Sequence, residues 1–185
     1  MNLNLVQTEI GSLILLRAGI KDSALVLDLL RESASWIKER GLSQWEAFLS
    51  EKGPKILERR FSEAEIYLAY LDKKPVATLG LQWQDPFVWD EKGLDQKAGY
   101  VHGLAVQRKL AGHHVGKQLM AWVETTVSGH PRPYVRLDCM AENEKLCRYY
   151  EKLGFQSVGS KRNETWEVNL LEKRVILEPL RFPKR

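Results

Sequence analysis

The run Asn143-Glu144-Lys145-Leu146-Cys147-Arg148-Tyr149-Tyr150-Glu151-Lys152-Leu153-Gly154-Phe155 decides how the rest of the chain is read. Leu146, Tyr149, Tyr150 and Leu153 recur at three- and four-residue spacing and so share one face of a helix. Asn143 is placed to cap its first turn, and Gly154 to end it. On either side the period changes. Tyr134 to Cys139 reads as a strand. Phe155 to Ser160 and Trp166 to Leu171 read as a final strand pair around the polar turn Lys161-Arg162-Asn163-Glu164.

Toward the N-terminus, Val115, Leu119, Trp122, Val123, Thr126 and Val127 recur at helical spacing, and the helix stops near Ser128-Gly129-His130-Pro131. Gly99 to Val106 reads as a strand. Asp85 to Gln96 reads as a polar loop. Glu65 to Leu71 and Pro75 to Trp83 read as two strands joined by Asp72-Lys73-Lys74. A second helical region is expected over Trp45 to Phe61, interrupted near Gly53-Pro54. Before it, Leu25, Leu29, Trp36 and Ile37 give a helix through Glu39, with Asp22 as N-cap and Gly41 past its end. Leu13 to Ala18 is the first expected strand. The order β-α-(α)-β-β-β-α-β-α-β-β predicts an α/β (α+β mixed) fold. It has one mixed sheet covered by helices, not a doubly wound parallel sheet.

Between the strand ending at Val106 and the helix starting at Val115 lies Gln107-Arg108-Lys109-Leu110-Ala111-Gly112-His113-His114. A helix N-terminus offers free N–H groups and a positive dipole end, which suits a phosphate. Glycine lets backbone approach a ligand closely. Arg108, Lys109 and Lys117 add positive charge. A tight strand-to-helix turn with no ligand accounts for the same pattern.

The segment Leu104 to Lys117 resembles the acetyl-CoA-binding motif of the GNAT superfamily, written Q/R-x-x-G-x-G/A after a Leu-Ala-Val-like strand end. In register, Ala111 stands at the Q/R position, His114 at the first glycine and Gly116 at the second, so two of three signature positions depart from the pattern. Asn143 to Phe155 is similar to the family ending N-x-x-A-x-x-x-Y-E-K-x-G-F. There Asn143 and Tyr150 through Phe155 match position by position, and Leu146 replaces the alanine. The resemblance extends over nearly the whole chain, with Gly99 to Phe155 as its diagnostic part.

The resemblance implies a GNAT-like central mixed, mostly antiparallel sheet with helices on both faces, splayed between two parallel strands. These would be Gly99 to Val106 and Tyr134 to Cys139. It implies acetyl-CoA as cosubstrate and no metal. Backbone groups of Leu104 and Val106, with Ala105 between them, would hold the pantetheine arm like an added strand. The pyrophosphate would fall to Lys109, Ala111, Gly112, His113, His114, Val115, Gly116 and Lys117. Asn143 would bond the pantetheine arm, and Tyr150 would protonate the leaving sulfur; a core aromatic on the Leu146 face is the other reading of Tyr150. A strand N–H such as that of Val106 suits the oxyanion.

The attacking amine must lose a proton. His102, two residues before Leu104, is expected to share a strand face with Leu104 and Tyr100. Some GNAT arylalkylamine acetyltransferases carry histidine at this place, and histidine titrates near neutral pH. A packing or solvent-facing histidine is the alternative, and Glu65 a second candidate base. Trp36, Trp45 and Trp83 are candidate substrate-binding residues, with Phe87 and Trp89 nearby. Aromatics can line a pocket for an apolar amine, although each taken singly also reads as core.

At 185 residues the chain fits one domain, 1–185. Apolar residues at 44% and charged residues at 28% exclude a membrane-embedded or disordered chain. No membrane-length apolar run or signal-like start is present, so a cytoplasmic location is expected. Cys139 and Cys147 fit no zinc or redox spacing and read as reduced thiols. The net charge is +4, partly from the tail Arg181-Phe182-Pro183-Lys184-Arg185. Such a tail could touch nucleic acid but is more often solvated, and no nucleic-acid partner is expected. The expected activity is acetyl transfer to a primary amine of a small molecule by direct attack in a ternary complex. Transfer to a protein N-terminus or lysine, or a non-catalytic coenzyme A-binding regulatory module, are the alternatives. A homodimer is an expectation by fold-level analogy.

Overall fold

The computed structural model describes residues 4–176; the basic run 181–185 lies outside them. One eight-stranded sheet runs in the order β1-β2-β3-β4-β5-β6-β8-β7. Its strands are β1 (Asn4–Thr8), β2 (Gly11–Arg17), β3 (Glu65–Leu71), β4 (Lys74–Gln82), β5 (Ala98–Val106), β6 (Tyr134–Met140), β7 (Gln156–Arg162) and β8 (Glu167–Arg174). Every neighbouring pair is antiparallel except β5 and β6. Five helices accompany it: α1 (Ser23–Lys38), α2 (Gly53–Glu63), α3 (Pro86–Trp89), α4 (Val115–Gly129) and α5 (Glu144–Lys152). The mixed, mostly antiparallel sheet with helices on both faces is the architecture expected from the sequence.

Each face of the sheet has its own apolar core. On one, Leu119, Met120, Val123 and Val127 of α4 and Cys147 and Tyr150 of α5 pack on Leu79, Leu81, Val101, Val135, Leu137 and Cys139. On the other, Val26, Leu27, Leu29 and Leu30 of α1 and Leu57 of α2 pack on Ile66, Leu68 and Ala105. The spacing of the α1 residues puts them on one stripe, which is why this sequence is helical in this setting. The glycine at 99 is demanded by that packing: a Cβ there would run into Cγ2 of Val127 on α4.

Three local expectations differ from the structure. β1 is an additional strand; only Val6 of its five residues is buried, so it leaves no period-two signal. Asp85 to Gln96 is ordered into α3 and a following 3-10 turn, Asp90–Leu94. There Asp85 caps α3 by accepting the Val88 N–H, and Pro86 fills the first turn. Asp22 stands at the N-cap of α1 as expected, but its carboxylate accepts the Gly19 N–H at 2.9 Å and makes no capping bond to α1. Among the described residues no helix is long and apolar enough to cross a membrane.

A second, polar core lies beneath β5 and β6. Arg136, 3% exposed, donates to Glu172 at 2.7 Å, to Asp95 at 3.0 and 3.1 Å, to the Tyr100 hydroxyl at 2.9 Å and to the Lys92 carbonyl at 2.8 Å. Tyr100 and Glu172 are its cross-strand neighbours on β5 and β8. One guanidinium therefore ties three adjacent strands to the preceding loop.

Candidate active site

The sheet opens between β5 and β6. Their ladder runs from Ala98–Tyr134 to Val101–Leu137 and stops, while β6 goes on pairing with β8 through Met140–Val168. The reason lies on the other edge of β5. Gly80 pairs with His102 but Thr78 pairs with Ala105, so Gly103 and Leu104 together stand opposite Leu79. This is a bulge, and a bulge bends its strand and adds twist. Gly103 sits there at φ 59°, a conformation that glycine adopts without a Cβ penalty. Beyond Val101 the β6-facing edge of β5 has no strand partner among the described residues, so its peptide groups are left for an extended ligand.

The bulge also corrects the expected sharing of a face. Tyr100 and His102 remain on one side, but the extra residue moves Leu104 to the opposite side. Leu104 and Val106 join the core under α4, and Ala105 joins the core under α1. Simple alternation cannot foresee this, because the period of two holds only while the ladder is regular.

His102 stands at the α1 and α2 side of the opening, between two carboxylates. Its Nε2 is 3.4 Å from Oδ2 of Asp85 and its Nδ1 is 3.8 Å from Oδ1 of Asp138. Among the described residues neither Nε2 nor the Asp85 Oδ2 has a hydrogen-bond partner, although both are buried. Burial pushes the Asp138 carboxyl up, against the opposing pull of His102 and Arg60. The three donor atoms lie within 4.8 Å of one another, a spacing a divalent cation could bridge. Glu65 is committed elsewhere: it accepts from the Tyr67 hydroxyl at 2.6 Å and Trp83 Nε1 at 3.2 Å. Burial raises its carboxyl, but these hydrogen bonds and Arg17 outweigh it and hold it below the usual range. A carboxylate stabilised in its charged form is a weak proton acceptor.

Tyr150 comes from the other side of the opening. Its ring packs edge-on to Tyr149 and Phe155, at 5.2 and 5.7 Å between centroids. Burial pushes its phenol well above the ordinary tyrosine range. It therefore keeps its proton throughout neutral pH. Asn143 caps α5 through Oδ1, which accepts the Leu146 N–H at 3.2 Å. Its Nδ2 donates to Oε1 of buried Gln44 at 2.9 Å. The neighbouring Ser43 holds Glu142 through both its N–H and its hydroxyl, so the segment between α1 and α2 is strapped to the β6–α5 junction.

The strand-to-helix loop presents α4 end-on. Gln118 donates back to the His114 carbonyl, which leaves the amides of Val115, Gly116 and Lys117 outside the helical ladder. His114 is the N-cap, at φ 54° and ψ 17°. This left-handed geometry is the physical reason that glycine suits the position, and in a non-glycine residue it costs about 1 kcal/mol. Its imidazole is exposed, 4.0 Å from Glu9. Gly112 has φ 89° and open space around it, and a Cβ at Gly116 would meet the Tyr149 hydroxyl at 2.9 Å. Lys109, Ala111 and His113 are exposed beside this terminus. Arg108 is not free to reach it: its guanidinium stacks on Trp36 at 3.7 Å, and its N–H donates to Glu32.

Two adjoining cavities occupy the opening. One, of about 820 Å³, lies on the α1 and α2 side among Trp83, Phe87, Asp85, His102, Arg60 and Asp138. The other, of about 250 Å³, passes toward α5 and is lined by Gln44, Trp45, Leu104, Met140 and Tyr150. They share His102, Gly103, Asp138, Arg60, Phe87 and Val88. The structure thus brings His102, Leu104, Tyr150 and Trp45 around the smaller cavity and His102 and Trp83 around the larger. Trp36 lines neither cavity and is clasped between Arg40 and Arg108.

Asp85, Asp138 and Arg60 were not singled out from the sequence. Asp85-Pro86 carries a helix-start signal that could have located the first. Val135, Leu137 and Cys139 as one apolar face would have placed Asp138 on the other, toward the bulged strand. Arg60 carries no local signal, because its importance arises only when α2 is laid over Gly103.

A family model described as the acetyltransferase (GNAT) family matches residues 28–155. Among curated proteins, the uncharacterized N-acetyltransferase YesJ of Bacillus subtilis (strain 168) is 26% identical over 163 residues, spanning 85% of this chain and 88% of its own length. Among solved structures, a GNAT-family acetyltransferase from Listeria monocytogenes 4b F2365 has a TM-score of 0.75 at 26% identity, covering 92% of this chain and 99% of that one. A PaiA N-acetyltransferase from Thermoplasma acidophilum, in complex with coenzyme A, shares the fold with a TM-score of 0.67 at 16% identity, covering 88% and 98%.

Proposed function

We propose that this chain, which belongs to the GNAT acetyltransferase family, carries an acetyl group from acetyl-CoA to the primary amine of a small molecule by direct attack within a ternary complex. The observation that carries the small-molecule reading is the cavity of about 820 Å³ beside His102, a size typical of small-ligand sites. The coenzyme A-bound PaiA relative supports acetyl-CoA as the donor.

The residues present fit that donor. Free amides and a dipole at the start of α4 suit a pyrophosphate, and the unpaired edge of β5 suits the pantetheine arm. The amide of Asn143, now bonded to Gln44, is the further donor along that path. In the reaction the amine nitrogen bonds the acetyl carbon, and the carbon–sulfur bond breaks. His102, on the acceptor side, takes the amine proton. Tyr150, on the thioester side, gives its proton to the departing sulfur. A β5 amide such as that of Val106 faces the developing oxyanion. What supports this division of labour is that His102 of β5 and Tyr150 of α5 line one and the same cavity.

Calorimetric titration with acetyl-CoA, and with coenzyme A for comparison, tests the donor. Binding at micromolar or tighter Kd is expected, followed by thiol release with primary amines. No binding would remove the transferase reading. His102→Ala is expected to lower kcat about 100-fold and to flatten the acidic limb of the pH–rate curve, because an imidazole must be neutral to accept a proton. Glu65→Gln should leave that limb in place. An unchanged limb in the His102 variant would assign the proton to another group or to water.

A further inference from the structure

Arg60, on α2, points into the junction of the two cavities. Among the described residues its guanidinium has no hydrogen bond and no carboxylate within ion-pair distance, in contrast to Arg136 and Arg132, whose guanidinium groups are tied to protein acceptors. One face of the group lies over the Phe48 ring, with its carbon 5.0 Å from the centroid. Its edge reaches the bulge: a Cβ on Gly103 would sit 3.0 Å from Nη1. The glycine thus leaves the guanidinium edge open beside His102. Burial lowers its pKa, and Asp138 only partly offsets this, so the charge is held at a cost that an anionic partner would relieve.

Within the same space Asp85 Oδ2 and His102 Nε2 lie 3.4 Å apart, buried and without a hydrogen bond among the described residues, which suits the amine of an acceptor. Trp83, Phe87 and Val88 supply apolar wall. From this arrangement we infer that the acceptor is an amino acid, a primary amine carrying a carboxylate that Arg60 reads with the edge of its guanidinium while the amine faces His102. A planar guanidinium fork matches a carboxylate in bidentate fashion, which a lysine would not reproduce. This inference rests on the acetyl-transfer reading and names its substrate class.

The test compares thiol release from acetyl-CoA for the common α-amino acids, β-alanine and γ-aminobutyrate. Each is set against the amide or amine that lacks the carboxylate. Charge-assisted hydrogen bonds of this kind correspond to a preference of about 10- to 100-fold in kcat/KM for the carboxylate-bearing member. Arg60→Met should bring that ratio to about one, with acetyl-CoA binding measured in parallel to show an intact donor site, and Arg60→Lys should keep part of it. Should the Met variant fail to fold, the wild-type ratio and the Lys variant still decide. Turnover of carboxylate-free amines at equal or better kcat/KM would overturn the inference and leave the transferase reading standing. An unchanged ratio in folded Arg60→Met would also overturn it. Absence of both acetyl-CoA binding and turnover would remove the transferase reading itself.

Discussion

Tyr150→Phe is expected to lower kcat about 100-fold while the Kd for acetyl-CoA stays within about twofold of wild type. The ring packs against Tyr149 and Phe155, and phenylalanine preserves that packing. What the variant loses is one proton donor facing the opening. Burial holds the phenol above its ordinary range, so the group is protonated wherever the enzyme would work and has a proton to give. By the same sign, no loss of turnover on mild alkalinisation should come from Tyr150. Calorimetry for binding and steady-state thiol release for kcat separate the two effects. Equal turnover in the variant would make Tyr150 a packing residue and leave sulfur departure unassisted by it.

The largest loss of stability is expected from Arg136→Met, about 3 kcal/mol in denaturant unfolding at neutral pH. The variant removes the one group that satisfies Glu172, Asp95, the Tyr100 hydroxyl and the Lys92 carbonyl together. Two carboxylates are then left in a poorly hydrated place. The pH dependence follows from Asp95. Burial raises its carboxyl, but the hydrogen bonds from Arg136 and from the Lys97 amide outweigh that and hold it below the usual range. A group depressed in the folded state stabilises above its unfolded pKa, and that contribution is lost as pH falls through the folded value. The gap between wild type and variant should therefore be widest near neutrality and narrow below the carboxylate range. A gap that stayed constant down to strongly acidic pH would mean that lost packing among Trp89, Tyr100 and Tyr134, not charge, explains the change.

Most of the architecture was legible because helices and buried strands write their periods into the chain. The α5 run with its cap and stop, the α4 stripe and the strand from Tyr134 each matched an element of the structure. The exceptions have specific causes. β1 buries too few side chains to alternate visibly. The bulge at Gly103 inverts the phase of β5, so Leu104 faces away from His102. The lining of the opening was legible where one short motif carries it, as at Tyr150. It was opaque where residues meet from distant parts of the chain. Asp85 and Asp138 flank His102 from a loop and from a parallel strand, and no spacing in the sequence announces that meeting.

The Arg136 cluster also has a mechanical side. It rivets β5, β6 and β8 at one rung, and one residue further along the ladder between the first two strands ends. Such an arrangement works as a pair of compasses: the legs are pinned near one end and free at the other. Slight rotation about the pin would widen or narrow the gap holding His102 and Tyr150 without breaking a single rung of the sheet. Amides of the pinned rung should consequently be among the slowest in the protein to exchange with deuterium, and those of the free leg beyond Val101 among the quicker ones of β5.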